Sequence, residues 1–243
     1  MIEDIQIASS SSSNPELRIL FASATKNKDA DSILPLCSLR KMKMPSDVQI
    51  DFCALTENGK GLSEAYNDVL DSRSGRYDIV VLVHDDLDII DVNAIQTLAK
   101  ARWDGTDLVG IAGGKGWSIP HGGSPYRPIG WTTASRDAGM AGMVIHVDDG
   151  GVRRFASSYG PCPARTLTVD GCFMAMMNSG LSLRFDQQFS FNHYDMDISF
   201  QAYRKGMKTA VYPILCTHMS QGKGLLKPEY IDSQMLFLKK WFV

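Results

Sequence analysis

The sequence predicts an α/β fold in which a mostly parallel central sheet carries helices on both faces. Three observations lead there. The run IVVLV at residues 79–83 is unbroken apolar, as suits a strand buried on both faces. Just before it, LSEAYNDVL places Leu62, Ala65, Tyr66, Val69 and Leu70 at helical spacing. Strand-like and helix-like segments then alternate through the first half, the order of a doubly wound sheet.

The elements follow in chain order. Residues 1–16 hold the polar tract SSSSSN and are expected to form a mobile leader. LRILFASA, 17–24, is the first expected strand, and the polar TKNKDAD closes it. A helix is expected over 32–42, with Pro35 near its start. VQIDFCAL, 48–55, alternates Val48, Ile50, Phe52 and Ala54 on one face and reads as a strand. The loop ENGKG leads into the helix around Ala65, with Ser63 near its start. The strand at 79–83 comes next, then a helix over 92–102 and a buried strand in DLVGIAGG, 107–114.

The second half changes character. Residues 113–140 are rich in Gly, Pro and Trp, with little periodicity. MVIHV and VRRFASS read as a hairpin around Asp148, Asp149, Gly150 and Gly151. RTLTVDGCFMAMM, 165–177, is strand material, and 197–205 a short helix stopped by Gly206. KTAVYPIL, 208–215, is a late strand before His218, and LKPEYIDSQMLFLKKWFV an amphipathic helix.

Composition narrows the function classes. At 243 residues, 44% hydrophobic and 21% charged, the chain can bury a sizeable core. Its net charge of −2 argues against nucleic-acid binding through bulk positive charge. The five cysteines (Cys37, Cys53, Cys162, Cys172, Cys216) form no CxxC pair, so a reduced, cytoplasmic setting is expected rather than a disulfide framework or structural zinc. No apolar run reaches 18 residues and no secretory signal pattern opens the chain. There is no GxxxxGK[ST] or GxSxG sequence, and GGKGWS lacks the glycines of a dinucleotide fingerprint.

The chemistry concentrates at three places. His84, Asp85, Asp86 and Asp88 crowd the end of the apolar strand, and ligands bind at that end of open α/β sheets. Clustered carboxylates repel one another unless a cation compensates. Asp86 is the first choice of ligand, with His84 or Asp88 beside it, since residues i and i+2 of an extended chain point the same way. The alternative is a turn in which Asp88 and Asp91 cap the next helix. In FNHYDMDIS, Asp195 and Asp197 lie at a helix N-terminus, which favours carboxylates. Asp197 suits an N-cap, whereas Asp195 suits a general base. His218 follows the late strand and is placed to face the same crevice or to serve the core. Trp117, Tyr126 and Trp131 suit either a sugar platform or core packing.

In that order, these motifs resemble the GT-A glycosyltransferases, particularly the family 2-like bacterial enzymes of polysaccharide and capsule synthesis. LSEAYNDVL before IVVLVHDDLD looks like the helix and the metal-binding Asp-x-Asp strand end of that family. VDGCFMAMM looks like its acceptor-side strand, and RFDQQFSFNHYDMDISFQAYRKGMKTAVYPILCTH its base-to-histidine segment. His84 replaces the first Asp, and Tyr194 the Glu before the base. The resemblance implies a GT-A, Rossmann-like nucleotide-diphospho-sugar transferase fold. Residues 17–243 would form one domain: a nucleotide-binding half at 17–112, an acceptor-side half at 113–222 and a C-terminal helix at 223–243.

It also implies a function. A sugar passes with inversion from a nucleotide-sugar donor, UDP-linked most often, to a hydroxyl on a sugar or lipid-linked saccharide. Asp195 is then the base. Mn²⁺ or Mg²⁺ sits on Asp86, with His84 and His218. Donor contacts come from Ser23, Thr25, Asn27, Asn58, Asn67, Asp85 and Asp86, and sugar contacts from Trp117, Trp131, Asp170 and Gly171. The loop at 117–131 is long enough to act as a lid. The C-terminal Lys239 and Lys240 among Leu, Trp and Phe suit the inner membrane face, the core or a partner subunit of a homo-oligomer. Two other readings stand beside this one. A sugar nucleotidyltransferase usually has glycine after the first strand, and LFASATKNKDAD has none. A non-catalytic carbohydrate- or nucleotide-binding protein on the same fold is the other.

Overall fold

The computed structural model describes residues 1–9, 15–116, 139–147, 154–219 and 227–242. Thirteen strands are assigned there. They are β1 (Ile2–Ala8), β2 (Leu17–Ala24), β3 (Val48–Leu55), β4 (Ile79–Val83), β5 (Leu87–Ile89), β6 (Leu108–Gly110) and β7 (Ala112–Gly114). Then come β8 (Met140–Val147), β9 (Arg154–Gly160), β10 (Ala164–Arg165), β11 (Phe173–Met177), β12 (Thr209–Val211) and β13 (Cys216–His218). The α-helices are α1 (Leu34–Lys41), α2 (Leu62–Arg73), α3 (Ala94–Trp103), α4 (Tyr194–Arg204) and α5 (Pro228–Phe242).

An eight-stranded sheet runs in the order β1-β3-β2-β4-β11-β6-β12-β10. Strand β2 shows why it is covered twice. Its Ile19 and Phe21 enter a core with Ile33 at the start of α1, Leu36 and Leu39 of α1 and Ile95 and Leu98 of α3. Its Leu20 and Ala22 enter a second core with Tyr66 and Val69 of α2, Ile198 and Phe200 of α4 and Phe237 of α5. Alternating side chains of an extended strand point to opposite faces, so both faces bury apolar surface. This two-sided burial explains the unbroken apolar run of β4, which lies between β2 and β11.

The expectation of a mostly parallel sheet is corrected. β2 pairs in parallel with β3 and β4, and β6 with β12. By contrast β1–β3, β4–β11, β11–β6 and β10–β12 are antiparallel. The sheet is mixed because β11 enters from the opposite direction between β4 and β6. That reversal sets Phe173 opposite Val83, so the start of β11 meets the end of β4.

A second sheet, β5-β13-β8-β7 with β9 on β8, carries the remainder. The chain passes from β6 into β7 at Ile111, so the one strand expected at 107–114 serves two sheets. Gly142 sits where β8 crosses that junction. Its φ is +96°, and an added Cβ would collide with the Ile111 carbonyl oxygen. The hairpin of 143–158 forms as β8 and β9, while its turn lies outside the described residues.

Two further expectations change. Residues 2–8 are not a leader but an antiparallel edge strand on β3, with Ile5 and Ile7 packed against the core. Asp197 is not an N-cap: His193, at φ +61°, holds that position. Asp197 is wholly buried in the first turn and accepts from Trp241 Nε1 and Gln201 Nε2, each at 2.9 Å. Lys240 Nζ lies 2.7 Å from it and also 2.7 Å from Asp186. Lys240 and Trp241 thus anchor α5 to the body of the protein, the core use among those expected for this helix. Among the described residues no helix is long and apolar enough to cross a membrane.

Candidate active site

Four segments meet where the end of β4, in the middle of the large sheet, comes up to the second sheet. The end of β4 supplies His84, Asp85 and Asp86, and His84 N–H continues the ladder to Cys172 O at 3.0 Å. The chain entering β11 supplies Asp170 and Gly171. The first turn of α4 supplies Tyr194 and Asp195. β13 brings His218 opposite Leu87 of β5, and Met219 N–H donates to Asp86 O at 3.0 Å. The reversal of β11 and the pairing of β13 thereby gather residues more than 130 positions apart.

His84, Asp86 and His218 can each offer one ligand atom, all within 4.8 Å of one another. His218 Nε2 lies 3.2 Å from Asp86 Oδ1. Burial alone would raise the Asp86 carboxyl, but the hydrogen bond and charge of His218 hold it below its ordinary value. Burial would likewise lower His218, yet Asp86 carries it above its ordinary value. The two form an ion pair that a cation would displace. Burial lowers His84 and keeps it neutral, against the pull of Asp86. A carboxylate with two imidazoles is a fitting donor set for Mn²⁺, which accepts both ligand types, and suits Mg²⁺ less well.

Asp195 lies on the other side of Gly171. Its Oδ2 accepts from Gly171 N–H at 3.1 Å and its Oδ1 from Met196 N–H at 2.9 Å. Burial, with the like charge of Asp170, pushes it up to about 7. A carboxyl there is suited to taking a proton near neutral pH. Asp170 Oδ1 accepts from Cys172 N–H at 2.9 Å, which holds the turn beneath both groups.

Gly171 has no room for a side chain. An added Cβ would land on the Tyr194 hydroxyl, 2.6 Å from Cζ and 3.1 Å from Asp195 Cβ. Gly171→Ala is expected to cost about 1–3 kcal/mol through overpacking and to displace Asp195. Thermal melting should show a drop of several degrees, with donor turnover falling further than stability explains.

Several expected site residues have other work. Asn67 donates to Phe185 O and accepts from Phe185 N–H, both at 2.8 Å. Its whole amide ties α2 to the segment before α4, so it is a structural clamp and not a donor contact. Ser23 is fully buried, which removes its hydroxyl from reach of a donor. Thr25 is 2% exposed and its Oγ1 accepts from Asn27 N–H at 3.2 Å; it shapes the loop from within. Asp88 accepts from Ser38 Oγ at 2.6 Å and is therefore turned toward α1, away from the ligand trio. Asp91 receives Asn93 N–H at 2.8 Å.

Asn27 is exposed and Asn58 half-buried, and their side chains bond to Ser32 Oγ and to the Lys60 backbone. Their loops are joined by Glu57 N–H to Asn27 O at 2.9 Å and Asn58 N–H to Thr25 O at 2.8 Å. Asp85 is half-buried beside Asp86, and its carbonyl accepts from Leu34 N–H at 2.9 Å. Trp117 and Trp131, with the expected lid, lie outside the described residues.

Three neighbours were not singled out by sequence reasoning. His146 is the parallel partner of His218, with ring centroids 6.0 Å apart. Phe191, 62% exposed, stacks on His84 at 6.3 Å. Tyr194 stood out only as a missing acid. Its hydroxyl lies 2.8 Å from His84 Nε2 and donates to Gly171 O at 2.9 Å. The sequence placed His146 only within one arm of the expected hairpin, and tertiary pairing of β8 with β13 brings it here.

A mixed sheet covered on both faces has the architecture of the GT-A class of α/β protein. A model of a glycosyltransferase-like family matches residues 25–240, and the chain belongs to that family; it is a glycosyltransferase. No match is found among curated protein sequences. Among solved structures, GalNAc-T7 with UDP, GalNAc and Mn²⁺ aligns at TM-score 0.59 and 10% identity, covering 93% of this chain and 48% of that one. A197 from STIV aligns at TM-score 0.50 and 13% identity, covering 88% and 92%. At these identities the likeness concerns the fold.

Proposed function

We propose that the protein is a metal-dependent, inverting glycosyltransferase that uses a nucleotide-sugar donor, most simply a UDP-sugar. The observation that carries this reading is the His84–Asp86–His218 trio, linked through Tyr194 and Gly171 to the half-buried Asp195 on a GT-A frame. The UDP and Mn²⁺ bound by GalNAc-T7 support the choice of donor and ion. His84, Asp86 and His218 would hold the cation, which supplies Lewis-acid stabilisation of the departing diphosphate.

This chain's own residues do the remainder. Asn27, Asn58 and the edges of their joined loops hold the nucleoside, with Asp85 alongside. Asp170 and the Gly171 backbone border the sugar. Asp195 takes the proton from the acceptor hydroxyl as its oxygen bonds to the anomeric carbon. The bond from that carbon to the diphosphate oxygen breaks at the opposite face, and the nucleoside diphosphate leaves with the electron pair. A single displacement of this kind inverts the anomeric centre. The acceptor is a hydroxyl of a sugar or a saccharide, in keeping with a polysaccharide-building role.

The test offers UDP-, GDP- and dTDP-sugars to the purified protein with and without Mn²⁺, following release of nucleoside diphosphate. One donor is expected to turn over slowly to water, and only with the ion. Equal turnover after chelation overturns the metal role. Binding of a donor without any turnover would instead favour a carbohydrate- or nucleotide-binding protein.

A further inference from the structure

We propose that Tyr194 is the positioning residue that fixes His84 in one tautomer as a metal ligand and ties that ligand to the backbone residue holding Asp195. This rests on the metal-dependent reading above and deepens it. It also makes His84 and Tyr194 a matched pair, since the phenol accepts from the imidazole while donating to Gly171 O, which an ionised acid could not do.

The tautomer follows from hydrogen-bond accounting. The Tyr194 hydroxyl has one proton. Gly171 O, 2.9 Å away, can only accept, so that proton points to it. His84 Nε2 lies 2.8 Å from the same oxygen. It must therefore donate its own N–H, to the lone pair that Tyr194 has left. A neutral imidazole carrying its proton on Nε2 keeps the Nδ1 lone pair, the form that coordinates a cation. Metal-bound histidines characteristically donate their other ring nitrogen to a fixed acceptor in this way.

The acceptor is fixed on all sides. Tyr194 is buried, with its ring tilted against Tyr66 at 6.3 Å and Phe185 at 5.8 Å. Phe185 is itself clamped by Asn67. The absence of a Cβ at Gly171 lets the hydroxyl reach the carbonyl. Gly171 then turns its N–H to Asp195 Oδ2 at 3.1 Å. A continuous path thus runs from His84 through Tyr194 and Gly171 to Asp195. An acid at position 194 would have to be protonated to donate to Gly171 O while accepting from His84. A phenol does both at neutral pH without carrying charge.

The experiment compares wild type with Tyr194→Phe, which keeps the ring and removes the hydroxyl. Mn²⁺ affinity is measured by calorimetry. The His84 ring nitrogens are read by ¹⁵N NMR in the metal-free protein. The expected result is a 10–100-fold loss of Mn²⁺ affinity, and a change from a pure Nε2–H form to a mixture. Unchanged affinity in the variant overturns the proposal. So does a wild-type His84 protonated on Nδ1, a result that needs no variant at all. If wild type binds no Mn²⁺ yet shows the Nε2–H form, the metal reading fails and the Tyr194 tie itself stands.

Discussion

Asp195→Asn is expected to reduce glycosyl transfer by about 10²–10⁴-fold, the range lost when a positioned general base is removed. The substitution keeps the size of the side chain and an oxygen able to accept from one of the two backbone donors, Gly171 N–H and Met196 N–H. What disappears is proton acceptance. The pH profile carries the sign. Asp195 is raised from the ordinary carboxyl range to about 7 by burial, with Asp170 adding repulsion. It is therefore mostly protonated, and idle as a base, at pH 6. The kcat/KM of the wild type should climb tenfold per pH unit below about 7 and level off above it. The Asp195→Asn protein should lack that limb. Full transfer by the variant, or an unaltered profile, would remove the base assignment.

Asp86→Ala is the second large effect. Asp86 is the only carboxylate in the ligand trio, so its loss leaves two imidazoles and no negative charge to offset the ion. Mn²⁺ affinity is expected to fall by at least 100-fold, and metal-dependent donor turnover to vanish. The same change frees His218, whose proton affinity is raised by its bond to Asp86. Metal uptake by the wild type must displace that proton, so affinity should weaken as pH falls. In Asp86→Ala that bond is gone and burial is left to lower the histidine, so any residual binding should depend less on acid conditions.

Much of this was legible in the sequence, and the exceptions have physical causes. β2 and β3 match the expected bounds because local pattern decides them. β11, FMAMM, is buried on both faces, so nothing in its residues signals its direction. Its reversal was invisible, and with it the mixed sheet. β1 was hidden by the serine tract beside it, although Ile5 and Ile7 already carried the strand spacing. At the site, Asp86 and Asp195 stood out because carboxylates at strand and helix ends need a compensating charge or a role, and His218 through its place after the late strand. Asn67 misled because its partner, Phe185, is 118 residues away. Tyr194 was missed because it was weighed as an absent carboxylate, whereas its function here comes from a hydroxyl that donates and accepts at once.

The central claim is that the trio at the end of β4 and β13 holds a metal that in turn holds the donor. It is tested most directly by titrating UDP into the protein by calorimetry, with Mn²⁺ and after chelation, for wild type and Asp86→Ala. Wild type should bind UDP only when Mn²⁺ is present, and Asp86→Ala should bind it weakly under both conditions. UDP binding by wild type that is equally tight with chelator, and unaltered by Asp86→Ala, would contradict the account.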